Sequence, residues 1–117
     1  MNATNVKPGL AINHHQLLTM PLYNVYNRVT ESFQQISATA FVLDDFEQFN
    51  FIHHTNIDAS LEEVKFVVTE ASTGCSAGFG ATLQEAKENA IENINRVGLE
   101  KFKKIIENKL AQYGRAN

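Results

Sequence analysis

The stretch that most constrains this chain runs from Gly74 to Ala90, GCSAGFGATLQEAKENA, where a run of small residues meets a helix start. Cys75, Ala77, Phe79 and Ala81 alternate with Ser76, Gly78 and Gly80, the period of a strand. Small residues on one face of that strand let a helix approach closely. Thr82-Leu83-Gln84-Glu85 then has capping-box spacing: the threonine oxygen serves the amide three residues on, and the glutamate reaches back. Leu83, Ala86, Ala90, Ile91, Ile94 and Val97 continue on one helical face. Gly98 interrupts that face, and Leu99, Phe102, Ile106, Leu110 and Tyr113 resume it, as one long kinked helix or two shorter ones.

Upstream, Leu18, Leu22, Val25, Tyr26, Val29, Phe33 and Ile36 recur at steps of three and four, which predicts a first helix over about residues 20–35. Thr19 is its expected cap, and Pro21 falls in the first turn, where a missing N–H costs nothing. The period then changes to two through Ile36–Leu43, with a turn at Asp44-Asp45. A further run covers Phe46–Ile52, and Val64, Phe66 and Val68 alternate with Lys65, Val67 and Thr69. Ser72-Thr73-Gly74 reads as a hairpin connection. The expected fold is therefore α+β: a helix, a three- or four-stranded antiparallel sheet, then a long or broken C-terminal helix, with helices on one sheet face. Residues 1–16 read as a flexible arm, 17–114 as a single domain and 115–117 as a tail.

The join at residues 78–90 resembles the double-stranded-RNA-binding domain family, whose last strand leaves through G-x-G-x-[ST] into a helix starting K-K-x-A-K-x-x-A. Gly78, Gly80, Thr82, Ala86, Lys87 and Ala90 match, and the expected order of elements agrees over about residues 20–97. The resemblance implies a two-layer sandwich, with RNA phosphates met by the helix-start lysines and by a His-bearing loop. Here Leu83 and Gln84 occupy two of the three lysine positions, and only Lys87 remains. Each lost phosphate contact removes counterion release. His53 and His54 precede a candidate loop without the family's Gly-Pro, and the chain has one strand too many.

Length and charge bound the rest. A chain of 117 residues, 44% hydrophobic and 20% charged, makes one ordinary domain that buries roughly two-thirds of its unfolded surface. No apolar run is long enough for a bilayer, and MNATNVKPGLAINHHQ lacks the pattern of a signal peptide. The lone Cys75 excludes an intrachain disulfide and a cysteine zinc site, so a cytoplasmic setting is expected. Net charge is −3, yet residues 83–117 carry seven bases against five acids, while residues 1–82 carry three against eight. A basic third on an acidic body suits an anionic partner, or is a solvated helix face of interleaved Glu and Lys.

No catalytic constellation stands out. Gly78-x-Gly80 lacks the third glycine of a dinucleotide fingerprint, since Leu83 stands there, and no P-loop motif occurs. Cys75 needs His53 or His54 as a base to act as a nucleophile; otherwise it is a small strand residue. Adjacent residues of His14-His15 or His53-His54 point to opposite strand faces and do not chelate, so no metal and no cofactor are expected. Asp44-Asp45 and Glu62-Glu63 read as turn and strand-edge solvation, and the aromatics read as core rather than base-stacking platforms. The expectation is a non-catalytic module acting through a protein partner or self-association, with candidate contacts Leu83, Leu99, Phe102, Ile106 and Leu110. Neither a membrane nor a small-molecule substrate is expected. Duplex RNA is the alternative ligand, weakly held by Lys87, Lys101, Lys103, Lys104, His53 and His54. A small bacterial or phage protein that regulates a host protein is a third reading.

Overall fold

A computed structural model describes residues 21–56 and 65–117. Expectations for the 1–16 arm, for Thr19, for Val64 and for the Glu62-Glu63 pair lie outside the described residues. Among these residues six strands come first: β1 (Leu22–Asn27), β2 (Ser32–Ser37), β3 (Thr39–Phe41), β4 (Phe51–Thr55), β5 (Phe66–Glu70) and β6 (Cys75–Gly80). Two helices follow, α1 (Leu83–Val97) and α2 (Leu99–Tyr113). The chain is α+β, as its periodicities require, but the helix expected over residues 20–35 is a β-hairpin.

That hairpin pairs β1 with β2 antiparallel, Val25 opposite Gln34 and Tyr26 opposite Phe33. Tyr23, Val25, Tyr26, Val29, Thr30 and Phe33 are β-branched or aromatic, the types that lose rotamer freedom in a helix and fit a pleated surface. Among the described residues of the supposed helical face only Val25 is buried, while Leu22, Val29 and Phe33 are exposed. Asn27 sets the turn, its side-chain oxygen accepting from Val29 N at 2.9 Å.

The remaining strands form one antiparallel sheet in the order β3-β4-β5-β6. Phe51 and Ile52, adjacent on β4, point to opposite faces, and each is 1% exposed, so both faces are covered there. On one face Phe51 and Val68 pack with Ala86, Ala90 and Ile94 of α1, closed by Leu43 and Phe46. On the other, Ile52 packs with Val25 of the hairpin, Ala38 and Ala71. The strand expected over Phe46–Ile52 begins at Phe51; before it the chain turns, Phe46 N donating to Leu43 O and Phe49 N to Phe46 O.

The join from β6 to α1 follows the sequence closely. A Cβ on Gly78 would come within 2.5 Å of Ala86 O and Ala90 N, and one on Gly80 within 2.5 Å of Ala86 N. These glycines are what let α1 lie directly on β6. Thr82 Oγ1 accepts from Glu85 N at 3.1 Å, and Glu85 returns a carboxylate oxygen to Ala81 N at 3.0 Å. Gly98, with φ of 96°, ends α1, and α2 starts at the next residue, so the C-terminal helix is broken rather than kinked.

Candidate interaction surface

The sequence candidates fall into two groups, separated by the pleat of β4. His53 shares the α1 face with Lys87, and the aromatic ring of Phe41 joins them. Lys87 Nζ lies 5.0 Å from the centre of that ring, and the His53 ring lies 5.3 Å from it. Burial, and then the nearby Lys87 ammonium, hold the His53 pKa below its ordinary value. The one lysine that matches the family's helix start is thus half-buried and laid over an aromatic ring of its own domain.

His54 faces the other way and is 6% exposed. Its Nδ1 stands 2.8 Å from Thr55 O, and its Nε2 is 2.7 Å from Thr69 Oγ1. A carbonyl only accepts, so Nδ1 carries the proton and Nε2 of the neutral ring accepts from the threonine hydroxyl. Burial lowers the His54 pKa; the bond to Thr55 O raises it in part, and His53 lowers it further. With both ring nitrogens occupied inside the sheet, His54 is a structural residue, and its candidacy for RNA contact is withdrawn.

Lys101, Lys103 and Lys104 are exposed on α2; Lys103 has Glu100 at 4.0 Å, an exposed pair of little energetic weight. Among the expected protein contacts, Leu99 is 38% exposed, whereas Leu83 and Leu110 are half-buried. Phe102 and Ile106 are corrected. The Phe102 ring meets Phe49 edge-on at 5.0 Å against the α1-side core, and Ile106 is buried, so the chain's own fold takes both. Cys75 sits opposite Glu70 in the ladder, and its thiol donates to Thr73 O at 3.8 Å.

The sequence reading missed the hairpin as a surface. Phe33 is 50% exposed, and Tyr26 and Val29 are exposed beside it. Every residue of β2 except Ile36 is exposed, and none is charged. The two ends of the sheet system differ in how they are finished. At β6, Gly80 O turns inward to Lys65 N, so the alternate carbonyls of Ala77 and Phe79 face out. Asn93 and Asn89 of α1 donate to them at 2.9 and 2.7 Å. Among the described residues nothing comparable reaches the outer edge of β2. The β-branched and aromatic composition of residues 23–33 was the available signal for this hairpin, and the three-and-four spacing over the same residues concealed it.

Compared with known proteins, the chain matches no family model, no curated protein and no solved structure. Among the described residues, no helix is long and apolar enough to cross a membrane.

Proposed function

We propose that this chain is a non-catalytic interaction module that works through protein–protein contact, foremost self-association, in a cytoplasmic setting. The observation that carries the reading is the edge of β2: six uncharged residues, SFQQIS, all exposed but Ile36, which packs against the core beside Ile52, with Phe33 among the exposed ones. Such an edge offers unpaired backbone donors and acceptors to another strand, and nothing in its side chains repels a second copy. The contrast with β6, whose outward carbonyls are taken by Asn89 and Asn93, supports the same reading.

The likeness to double-stranded-RNA-binding domains enters this proposal only through β4, β5 and β6 followed by α1 on one sheet face. The strand-first hairpin stands where that family has its long first helix. Duplex RNA is the second reading, supported by Lys101, Lys103 and Lys104, exposed on α2, with Lys87 held back on Phe41.

Sedimentation equilibrium over a range of concentrations tests the proposal. A reversible dimer is expected, and Gln35→Lys, which puts a charge on the β2 edge, should return it to monomer. A chain that stays monomeric at every concentration, with tight, salt-dependent binding of a short RNA duplex, would favour the second reading instead.

A further inference from the structure

A groove of about 690 Å³ lies between the hairpin, the β5–β6 turn and the end of α2, a volume in the range of ligand sites. Tyr26, Phe33 and Tyr113 line it, with two cations, Lys109 and Arg115, and Glu31 as the one carboxylate among its lining residues. Three aromatic side chains are left in solvent here, while Phe46 and Phe51 fill the core with Phe41, Phe49 and Phe66 packed against it. Phe33 and Tyr113 are 50% and 70% exposed. The rings are also placed. Phe33 meets Tyr26 edge-on at 5.3 Å, and Gly74 leaves room for it, since a Cβ there would come within 2.9 Å of the Phe33 ring. On the cationic side Arg115 is held by its Nε, which donates to Asn117 O at 2.9 Å. Among the described residues neither Lys109 nor Arg115 has an Asp or Glu carboxylate within 4.0 Å, and Asn117 O takes only the Nε of Arg115.

We propose that this groove binds single-stranded nucleic acid, with bases against the exposed rings and phosphates toward Lys109 and Arg115. Aromatic faces take any base, and beside them Lys109 and the remaining guanidinium donors of Arg115 supply the backbone charge. An uncharged peptide would leave the Lys109 ammonium without an anion. A duplex fits less well, because its base faces are already stacked on one another.

Fluorescence anisotropy with a labelled oligothymidylate of about 12 nucleotides tests this on the full chain. Two single-strand phosphate contacts predict that affinity falls roughly sevenfold between about 50 and 200 mM salt. Tyr113→Ala and Lys109→Glu, both at exposed positions of α2 rather than in β2, should each weaken binding about fivefold or more. Their unfolding midpoints and oligomeric state should be unchanged, which separates this test from that of self-association. No binding at low salt would overturn the proposal, as would equal affinity for a duplex of the same length or an affinity that neither variant moves. An acidic tyrosine-bearing peptide that binds, and is lost in both variants while the oligonucleotide does not bind, would also overturn it and assign the groove to protein.

Discussion

Asn24 and Asn117, separated by 93 positions, hold each other by both backbone and side chain. Asn24 N donates to Asn117 Oδ1 at 2.7 Å, Asn117 Nδ2 donates to Asn24 O at 2.9 Å, and Asn24 Nδ2 donates to Ala116 O at 2.8 Å. Asn117 Nδ2 also reaches Ala71 O, and Ala116 N donates to Ser72 O. Residues 115–117, expected as a tail, therefore tie β1 to the β5–β6 turn and close one side of the aromatic groove. Glu70 organises that turn: its buried carboxylate accepts from the backbone amides and hydroxyls of Ser72 and Thr73.

Asn117→Ala removes the acceptor of Asn24 N and the donor to two carbonyls. The loss should be about 1–2 kcal/mol of stability, read as a lower urea midpoint with an unchanged slope. An unaltered midpoint would show that water replaces these bonds at no cost.

Gly78→Ala tests how tightly α1 sits on β6. No left-handed backbone is involved, so the effect is steric: the new methyl meets the α1 backbone at 2.5 Å, and backbone yields only by moving the helix. A loss of roughly 1–3 kcal/mol or more is expected. Gly98→Ala is the comparison: its Cβ would meet nothing within 4 Å, and its cost comes from a φ of 96° alone. A tolerated Gly78→Ala would mean that α1 is less firmly seated than its contacts imply.

Thr82→Ala should cost about 1 kcal/mol, because Glu85 N loses its acceptor while Ala81 N keeps the Glu85 carboxylate. Guanidinium denaturation followed by far-ultraviolet circular dichroism would measure it, and Thr82→Ser should restore most of the loss.

Stability should fall as pH drops below the ordinary histidine range. Burial holds the folded pKa of both His53 and His54 below the ordinary histidine value, so the unfolded chain takes up protons first. The folded state is then fully favoured above about 6.5 and progressively loses that advantage as pH falls toward the lower folded values. His54→Gln should flatten the part of this slope that His54 contributes. A wild-type stability that is level between about pH 7 and 5 would contradict the burial of these rings.

What the sequence determined by itself was local. The β5–β6 hairpin, the glycines of β6, the Thr82 cap and α1 all follow from neighbours within a few residues. In each case, period, turn chemistry and capping agree. Residues 20–35 show the opposite. Their three-and-four spacing fits a helix and their β-branched and aromatic composition fits a strand, and packing decided between them. As a hairpin the segment buries Val25 on Ile52, Ala38 and Ala71 and covers the second face of the sheet. The candidate surfaces divide the same way. A list of lysines and histidines carries no information on direction, so only the tertiary structure could turn His54 inward, fold Lys87 onto Phe41 and lay Phe102 against Phe49. Tyr26, Phe33 and Tyr113 come from opposite ends of the chain. They line one groove because residues 115–117 hydrogen-bond across to β1, a contact between segments too far apart for any local pattern to encode.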